Sequence, residues 1–410
     1  MGVHRYVHLG DLHLRPDRRN QGRRSVLAKI IREEKHRQVD AWIWPGDLNH
    51  GAMSIDDRNF LVSRLMAMAE QAPVVIIQGN HARAGDLDIF QELGSVCDIV
   101  VVTQPSIIDV NDLVLFALPY PSKDFLLAGG HHGADAIVTG QSYLAELFED
   151  ASTALESAVK DGRPAMVAGH ISVAGAVSST GQPQIGAELT LDRQVLDGLH
   201  EQIYVGLNHI HKQQQVGRAH YAGSLCRLDW GELEDKSYTS VTYSVEASSK
   251  ESSLEQIDRH AVDVPPMYHV EGELCDSGFE WTLMNAKDGP MPSFEGAEVR
   301  VRYRFPVTAR AVVEALEPQI QERFKGAKRL VLEPIAIGTS VSRSASVMEA
   351  TTLSQRISRW SELTTGGPLS INQLLKLDEL QGVIEERGDI TQDEAAVQSV
   401  VDILLTAEDS

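Results

Sequence analysis

Short apolar runs recur through residues 1–246 of this chain, and turn residues bound each of them. The runs are rich in Val and Ile, which favour the extended backbone of a β-strand. Amphipathic stretches separate several of the runs, so the pattern predicts an α/β domain in which helices cover a sheet. The predicted strands are Tyr6–Leu9, Ala41–Trp44, Val74–Ile77, Ile99–Val102, Val114–Leu118, Met166–Ala168 and Ile203–Gly206.

Three of the amphipathic stretches are predicted helices, namely Ser25–Gln38, Asp56–Ala69 and Gln141–Val159. The first has a clear apolar face, because its large apolar residues repeat with helical spacing. That face consists of Val26, Leu27, Ile30 and Ile31. These strands and helices assign residues 1–246 to one domain.

A second, smaller domain is predicted over residues 257–340. Tyr238–Val245 closes the first domain, and Ala247–Glu255 is a polar connector rich in Ser and Glu. The smaller domain is α+β, with strands at Glu298–Phe305 and Arg329–Ile335 around a helix at Thr308–Phe324. Pro318 lies inside that helix and is expected to break or kink it.

Residues 345–410 are predicted to form a helical tail. Thr391 and Glu394 make a capping box at the start of its last helix. Apolar stripes on so short a tail need a surface that covers them, and the sequence leaves this chain's own domains and a partner protein both open. The stripes are Leu353, Ile357 and Trp360; Ile371, Leu374 and Leu375; and Val397, Val400, Val401 and Leu404.

The residues that can carry chemistry lie just after five of the predicted strands. In an open α/β sheet, ligands bind in the crevice at the carboxyl ends of the strands. A single Gly-Asp or Gly-His pair after a strand usually forms only a turn, whereas an ordered set of five is far more specific. The segments are Gly10–His13, Gly46–His50, Gly79–His81, Gly169–His170 and Asn208–His211.

These segments offer the ligands of a metal centre. Residues i and i+2 of an extended segment point the same way, so Asp11 and His13 can face one ion, as can His209 and His211. Carboxylate, imidazole and amide ligands without thiolates suit Mn²⁺, Fe²⁺ or Zn²⁺. The candidates exceed what one tetrahedral ion takes and fit two ions that share a bridging carboxylate. They are Asp11, His13, Asp47, Asn80, His170, His209 and His211.

The ordered set resembles the calcineurin-like metallophosphoesterases. Within them it is most similar to the SbcD-type nucleases, the bacterial relatives of the nuclease subunit of the meiotic-recombination DNA repair complex. His50 follows Asp47 by three residues, as in the branch's GDLFH motif. Tyr204–Lys212 is similar to the family's YVALGHIHK, and the run from Tyr221 to Lys236 is similar to its YPGS…RxDFGE…K. The resemblance implies a β-sandwich flanked by helices, a small α+β capping domain and a helical C-terminal tail.

Two positions depart from the family pattern. Ala82 stands where the family has an acidic residue after GNH, so the metal site is expected to form without the support of that acidic residue. Asn208 stands where the family has Gly before HxH. Asn tolerates a left-handed backbone, so the turn at Asn208 is expected to persist. Such departures suit the divergent versions of this subunit that bacteriophages carry.

The resemblance also implies a role for each candidate ligand. One metal ion would be held by Asp11, His13 and His211. The other would be held by Asn80, His170 and His209, with Asp47 bridging the two. Two Mn²⁺ ions are the implied cofactors, in a two-metal hydrolysis of phosphodiester bonds.

Two further histidines receive catalytic roles from the resemblance. His81 would lie beside the scissile phosphate and stabilise the transition state or protonate the leaving oxygen, and His50 would support it. The implied enzyme is a DNA nuclease, a 3′–5′ exonuclease on double strands and an endonuclease on single strands and hairpins. DNA repair, recombination and phage replication are its implied settings.

The resemblance implies partners as well. In that family the nuclease is a homodimer within a heterotetramer, where an SbcC-like SMC-type ATPase receives its C-terminal helices, and double-stranded DNA ends are the substrate. This chain has no GxxxxGK[ST] loop, so an ATP-driven step would need such a partner. It has three cysteines without a CxxC pair and no membrane-length apolar run, so we expect a cytoplasmic protein.

The net charge of the chain limits the ways in which it can bind DNA. Its net charge is −21, which excludes a protein that coats nucleic acid with overall positive charge. A local patch is still open, because Arg15, Arg18 and Arg19 follow the first motif. Contact with backbone phosphates and a merely solvated helix start both explain such a patch, and DNA binding is our prediction for it.

Two other functions stay open beside the nuclease. One is another calcineurin-like phosphodiesterase or phosphatase, acting on a small diester or a phosphoprotein. The other is a DNA-end-binding scaffold with weak activity. His50 and the long C-terminal extension argue against the first, and the complete ligand set argues against the second.

Overall fold

The structure is a computed structural model that describes residues 2–83, 85–122, 136–179, 189–246, 252–275, 278–284 and 291–337, with 355, 357–358 and 374–376. The chain divides into two compact units. The first contains Met1–Glu271, Trp281–Arg302 and Glu322–Leu332. The second contains Gly272–Glu280, Tyr303–Gln321 and Glu333–Ser410.

The first unit is built from two large β-sheets and five helices within its described residues. In chain order its strands are Gly2–His8 (β1), Ala41–Trp44 (β2), Val74–Ile77 (β3), Ile99–Val102 (β4), Ser106–Val110 (β5), Leu113–Leu118 (β6), Ala165–His170 (β7), Ser172–Val173 (β8), Thr190–Leu191 (β9), Tyr204–Asn208 (β10), Gln214–Val216 (β11), Ala219–Tyr221 (β12), Lys236–Val245 (β13) and Ser252–Val262 (β14). The helices are Asn20–Glu34 (α1), Ile55–Ala69 (α2), Asp88–Gln91 (α3), Ala136–Lys160 (α4) and Arg193–Asp197 (α5).

The central strands of each large sheet run parallel to one another. The first has the strand order β14-β13-β1-β2-β3-β4, and β1 to β4 run parallel, while β13 is antiparallel to both of its neighbours. The second has the order β11-β12-β10-β7-β6-β5, with β6, β7, β10 and β12 parallel. The edge strands β5 and β11 are antiparallel, and β8 pairs with β9 separately.

The two large sheets pack face to face because the side of each sheet that faces the other is apolar. Alternate residues of a strand point to opposite faces. Ile43 of β2 and Val75 of β3 belong to a buried cluster that also contains Leu115 of β6, so this cluster lies between the sheets. Their neighbours Trp42 and Val74 belong instead to the cluster formed with helices α1 and α2. A third cluster joins the second sheet to α4, which gives a helix–sheet–sheet–helix sandwich.

The predicted α/β sandwich is confirmed, and all seven predicted strands are present. Helix α1 begins at Asn20 and ends at Glu34, earlier at both ends than predicted, but its predicted apolar face is buried. Strand β5 was missed by the sequence pattern. It joins β6 through a two-residue turn in which Asn111 has φ 54°, a conformation that Asn adopts in tight hairpins.

The structure changes what was predicted for two irregular segments. The predicted connector Ala247–Glu255 overlaps β14, an edge strand that begins at Ser252 and keeps many polar residues partly exposed. The helix around Pro318 is not broken, since Arg310–Arg323 (α6) runs through it. Pro318 lies on the exposed side of α6, where water can satisfy the carbonyl group that its missing N–H leaves without a donor.

The last sheet has four strands. They are Met267–Cys275 (β15), Gly278–Leu283 (β16), Glu298–Pro306 (β17) and Arg329–Ile337 (β18), in the order β16-β15-β17-β18. A short 3₁₀ helix, Val307–Ala309, leads into α6 between β17 and β18. The predicted strand–helix–strand pattern of this region is therefore confirmed.

The predicted helical tail over 345–410 lies largely outside the described residues. Positions 355, 357–358 and 374–376 are helical, and the remainder of the three apolar stripes is not among the residues that the structure describes. In the part of the chain that is described, no helix has both the length and the apolar character needed to cross a membrane.

Candidate metal centre

The strand-end segments predicted from the sequence meet at one place, although their strands belong to two sheets instead of one. β1, β2 and β3 of the first sheet lead to Asp11, Asp47 and Asn80, while β7 and β10 of the second lead to the histidines at 170, 209 and 211. Three groups of these side chains have ligand atoms within 4.8 Å of one another. The groups are Asp11, His13 and His211; Asp11, Asp47 and His170; and His13, His50 and His81.

The carboxylate of Asp47 occupies the middle of the cluster. Its Oδ2 lies 3.4 Å from His13 Nε2, 3.2 Å from His170 Nε2 and 4.0 Å from His81 Nε2. Burial alone would raise the pKa of Asp47, but the neighbouring His170 and His13 hold it well below its usual value. A permanently charged carboxylate shared by imidazoles from both sheets suits a bridging ligand.

Asp11 provides the clearest sign that a cation belongs here. Its side chain is fully buried, and its Oδ1 has no hydrogen-bond partner among the described residues. The other oxygen, Oδ2, accepts a bond from the backbone N–H of His209 at 3.2 Å. Burial, reinforced by the charge of Asp47, raises the pKa of Asp11 to about 7. An orphaned buried carboxylate oxygen among imidazole nitrogens fits a divalent metal ion.

The two histidines of the first metal group face each other through their Nε2 atoms. His13 Nε2 lies 3.1 Å from His211 Nε2. On the far side of its ring, His211 Nδ1 lies 3.1 Å from Oε1 of Glu232. Lys236 and Ser224 hold the same carboxylate, with Lys236 Nζ at 2.6 Å and Ser224 Oγ at 3.2 Å from Glu232 Oε2. Metal-binding histidines are commonly oriented by such a partner on the other ring nitrogen.

The group of Asp11, Asp47 and His170 contains a histidine whose ring is oriented by a backbone carbonyl group. Its Nδ1 lies 2.7 Å from the carbonyl oxygen of Pro45, so Nε2 is the atom that faces Asp47. The amide oxygen of Asn80 lies 2.9 Å from the same Nε2. The ring of His209 lies 5.1 Å from the ring of His170, centre to centre. All seven candidate ligands are therefore gathered in one site.

Two glycines explain why the motifs read Gly-Asp and Gly-Asn. Gly46 has φ 108°, and a Cβ atom there would overlap the ring of His170. A Cβ atom at Gly79 would overlap the backbone N and the carboxylate of Asp47. The loops are also strained, since His13, Asp47 and His209 have φ values of 51°, 48° and 95°. Backbone strain of this kind concentrates at functional sites.

His50 and His81 form a stacked pair at the edge of the cluster. Their ring centres lie 4.1 Å apart with an angle of 25° between the planes. His50 Nδ1 also lies 3.1 Å from His13 Nδ1, so His50 orients a candidate ligand as well as contacting His81. The side chain of His81 is 32% exposed, and burial lowers its pKa. His81 can therefore reach a bound substrate.

The structure corrects the expectation for Asn208. The left-handed residue is His209, and Asn208 does not have a positive φ. Its amide instead joins the two sheets, because Nδ2 donates to Leu9 O at 3.0 Å and Oδ1 lies 3.0 Å from His8 Nε2. Ala82, the other departure, packs against the apolar cluster beneath α1 and α2.

Sequence reasoning did not single out Tyr120 or assign a contact to Glu232. The Tyr120 ring, just past the end of β6, lies 5.5 Å from the ring of His209 and 6.2 Å from that of His170. Glu232 and Lys236 were visible only as part of a run that resembles a family motif. Their spacing along the chain gave no indication that they hold His211.

Two of the three arginines in the predicted basic patch, Arg15, Arg18 and Arg19, form ion pairs within the protein. Arg19 Nε lies 2.9 Å from Glu298 Oε2, and its guanidinium stacks 4.6 Å above the ring of Trp230. Arg15 Nε lies 2.6 Å from Asp17 Oδ2. Arg18 is exposed, and within the described residues it has no ion-pair partner.

Comparison with known proteins agrees with this geometry. Residues 4–204 match the family model of the calcineurin-like phosphoesterases. A solved structure, a dimetal phosphatase from Danio rerio, matches with 10% identity and a TM-score of 0.38 over 63% of this chain and 96% of the other. The buried Asp and His cluster suits two divalent metal ions. The chain therefore carries a calcineurin-like phosphoesterase domain and is a metal-dependent hydrolase.

Proposed function

We propose that this chain is the nuclease subunit of a DNA-processing complex, which hydrolyses phosphodiester bonds with two Mn²⁺ ions. The observation that carries the proposal is the position of His50. It lies between the candidate ligand His13 and the partly exposed His81, and the resemblance associates a histidine at this position with the nuclease branch. The Glu232–Lys236 pair behind His211 comes from a second motif of the same branch.

The donor set suggests how the ions would be held. Asp11, His13 and His211 would hold one ion and Asn80, His170 and His209 the other, with Asp47 shared. When bound, the ions activate a water molecule and neutralise charge on the attacking and leaving oxygens of the phosphodiester. Carboxylate, amide and imidazole donors without a thiolate are compatible with Mn²⁺.

His81 is the group that can move a proton. Its Nε2 lies 4.0 Å from Asp47 Oδ2, and its ring is partly exposed. A protonated His81 can donate to the leaving sugar oxygen, whose negative charge otherwise raises the barrier. The stacked ring of His50 restricts the orientation of His81, and its Nδ1 contact holds His13 at the same time.

DNA is the substrate class we propose, with Arg15 and Arg18 as phosphate contacts. The side chain of Arg19 is only 12% exposed, against 37% for Arg15, so we expect Arg19 to contribute less. Removing both Arg15 and Arg18 should flatten the salt dependence of duplex binding, by a slope of about one for each lost phosphate contact. Arg32→Ala is the matched control, because Arg32 is an exposed arginine of α1 away from the site. An unchanged slope in the double variant would contradict this assignment.

Substrate comparison tests the proposed activity. Nucleotide release from end-labelled linear duplex and from hairpin DNA is measured with Mn²⁺, with Mg²⁺ and with chelator, beside hydrolysis of p-nitrophenyl phosphate. The proposal expects Mn²⁺-dependent cleavage of DNA and little hydrolysis of the monoester. Hydrolysis of the monoester with intact DNA would favour the phosphatase alternative, and DNA binding without hydrolysis would favour the scaffold.

The partner we propose is an SMC-type ATPase that receives the helical tail. The support is the set of apolar stripes in 345–410 and the absence of a GxxxxGK[ST] loop from the sequence. Truncation after Gly367 should leave a folded, metal-binding phosphodiesterase that no longer co-purifies with a co-expressed ATPase from the same genome. An unfolded truncated protein would assign the stripes to the protein's own core.

A further inference from the structure

A cavity of about 340 Å³ lies beside the first turn of α1, within the first compact unit. None of the seven candidate metal ligands lines it, so it is separate from the metal centre. Six basic and two acidic side chains line it, a surplus of four positive charges in a chain whose net charge is −21. The basic residues are Arg18, Arg19, Arg23, Lys29, Arg227 and Lys328.

Both acids in the lining are already paired. Glu298 Oε2 lies 2.9 Å from Arg19 Nε, and Asp263 Oδ2 lies 3.7 Å from Lys29 Nζ. Arg18 and Lys328 are exposed, and in the part of the chain that is described neither has an ion-pair partner. Their charges are therefore available to an anion at the mouth of the cavity.

Arg23 and Gly22, which both line the cavity, leave a donor and space beside it. Arg23 is 1% exposed, and its two terminal nitrogens bind Asp17 at 2.8 and 3.1 Å. Its Nε is buried without a hydrogen-bond partner among the described residues, and buried donors normally have an acceptor. A side chain at Gly22 would meet only open space, although glycine disfavours a helix. Nothing in the described packing requires a glycine there.

The first turn of α1 adds to the attraction for an anion. Arg19, at the N-cap position, gives no side-chain hydrogen bond to the helix, and the first turn contains no acidic residue. With glycine at position 22, a ligand can approach this turn closely. The N–H groups of Asn20, Gly22 and Arg23 already donate to backbone carbonyl oxygens, so the attraction comes from the positive end of the helix dipole.

The shape and the remaining lining define the class of ligand. Val26, Val264, Pro265 and Met267 form an apolar wall. The volume is at the small end of pockets that hold whole organic ligands, roughly 300–1,000 Å³, and an inorganic phosphate alone would leave the wall uncovered. We propose that this cavity binds a nucleoside phosphate, with the phosphate at Arg18 and Lys328 and the base against the apolar wall.

Calorimetric titration of the full chain with deoxyadenosine monophosphate tests the proposal. Chelator is present throughout, so that no metal ion can bind the phosphate. We expect binding to weaken at least tenfold in the double variant Arg18→Ala/Lys328→Ala, and to be lost in Gly22→Phe, whose ring would fill the cavity. Arg32→Ala and Asp47→Asn should bind like the wild type. Circular dichroism establishes that each variant is folded.

Further ligands show which parts of the nucleotide are needed for binding and whether it is a free nucleotide or the end of a DNA strand. Deoxyadenosine and inorganic phosphate should each bind at least tenfold more weakly than the monophosphate. Competition by a 5′-phosphorylated tetranucleotide would identify a strand end as the source, and lack of competition would identify the free nucleotide. Absence of binding to wild type, or equal binding by the double variant, would overturn the proposal. Because no hydrolysis is measured, these outcomes are independent of the nuclease activity.

Discussion

Glu232 holds His211 from behind, with Oε1 at 3.1 Å from Nδ1, while Nε2 of the same ring lies 3.1 Å from Nε2 of His13. The carboxylate is buried. Burial alone would raise the pKa of Glu232, but its bonds with His211 and Lys236 lower it to about 2. Glu232 therefore stays charged, fixes which nitrogen of His211 faces the metal centre and increases the basicity of that nitrogen.

Glu232→Gln should consequently weaken metal binding without changing a ligand. Loss of a carboxylate behind a metal-binding histidine typically costs about 10–100-fold in affinity or activity. It also removes the closest charge partner of the buried Lys236, which keeps Glu234 at 2.8 Å, so the free energy of unfolding should fall by about 1–3 kcal/mol. Mn²⁺ titration and thermal unfolding measure the two effects.

The control for that variant is Asp235→Asn. Asp235 is a neighbouring acid whose side chain is fully exposed and whose contact with Arg227 is long, at 4.0 Å. It should bind Mn²⁺ and unfold like the wild type. Equal Mn²⁺ affinity in Glu232→Gln and Asp235→Asn would show that Glu232 does not act on His211.

Gly46→Ala should damage the metal centre although alanine carries no functional group. The added Cβ atom would overlap the ring of His170, which is fully buried and cannot move aside. Gly51→Ala is the matched control, since Gly51 also has a positive φ, 81°, but has open space around it. We expect both variants to lose about 1 kcal/mol of stability from backbone strain, while only Gly46→Ala loses Mn²⁺ binding. Comparable Mn²⁺ binding by the two would contradict the assigned packing.

Metal affinity should rise with pH. The pKa of Asp11 is raised by burial to about 7, so below pH 7 its carboxyl group is protonated and a metal ion must displace that proton. Burial would lower the pKa of His170, but the Asp47 carboxylate raises it to about 9, which adds a second competing proton. Affinity should therefore increase between pH 6 and 8, with protons released. Calorimetry in buffers of different ionisation enthalpy counts them, and a pH-independent affinity would refute this competition.

His81→Ala should separate catalysis from metal binding. His81 is more exposed than the buried ligands and is assigned to the substrate, so the variant should bind both ions normally. Its rate of DNA hydrolysis should fall by about 10²–10⁴-fold, the usual contribution of general acid catalysis. Loss of bound metal in this variant would instead make His81 a ligand.

The strand ends could be predicted because each motif is local. A carboxylate or imidazole two or three residues after an apolar run is visible without knowing where the strand lies. Only the resemblance to a β-sandwich family implied that the strands are divided between two sheets, because the apolar runs of β1 to β3 and of β7 and β10 have the same character. Hydrophobic periodicity defines a strand but does not define its neighbours.

Contacts between segments that are far apart in the sequence could not be predicted, for a related reason. Nothing in the spacing of Asp47 and His50 indicates that His50 reaches His13 on another strand. The same holds for Asn208, where a turn was expected and the side chain instead binds Leu9 and His8 of the neighbouring sheet. Such contacts depend on the packing of the two sheets.

Metal stoichiometry tests the central claim most directly. Mn²⁺ bound per chain is counted for wild type and for Asp47→Asn, by titration and by anomalous scattering from soaked crystals, together with Mn²⁺-dependent hydrolysis of linear duplex. The account predicts two ions per wild-type chain, and for Asp47→Asn fewer than two ions and no hydrolysis, because Asp47 lies between the two ligand groups. A single ion in the wild type, or two ions and full activity in Asp47→Asn, would contradict it.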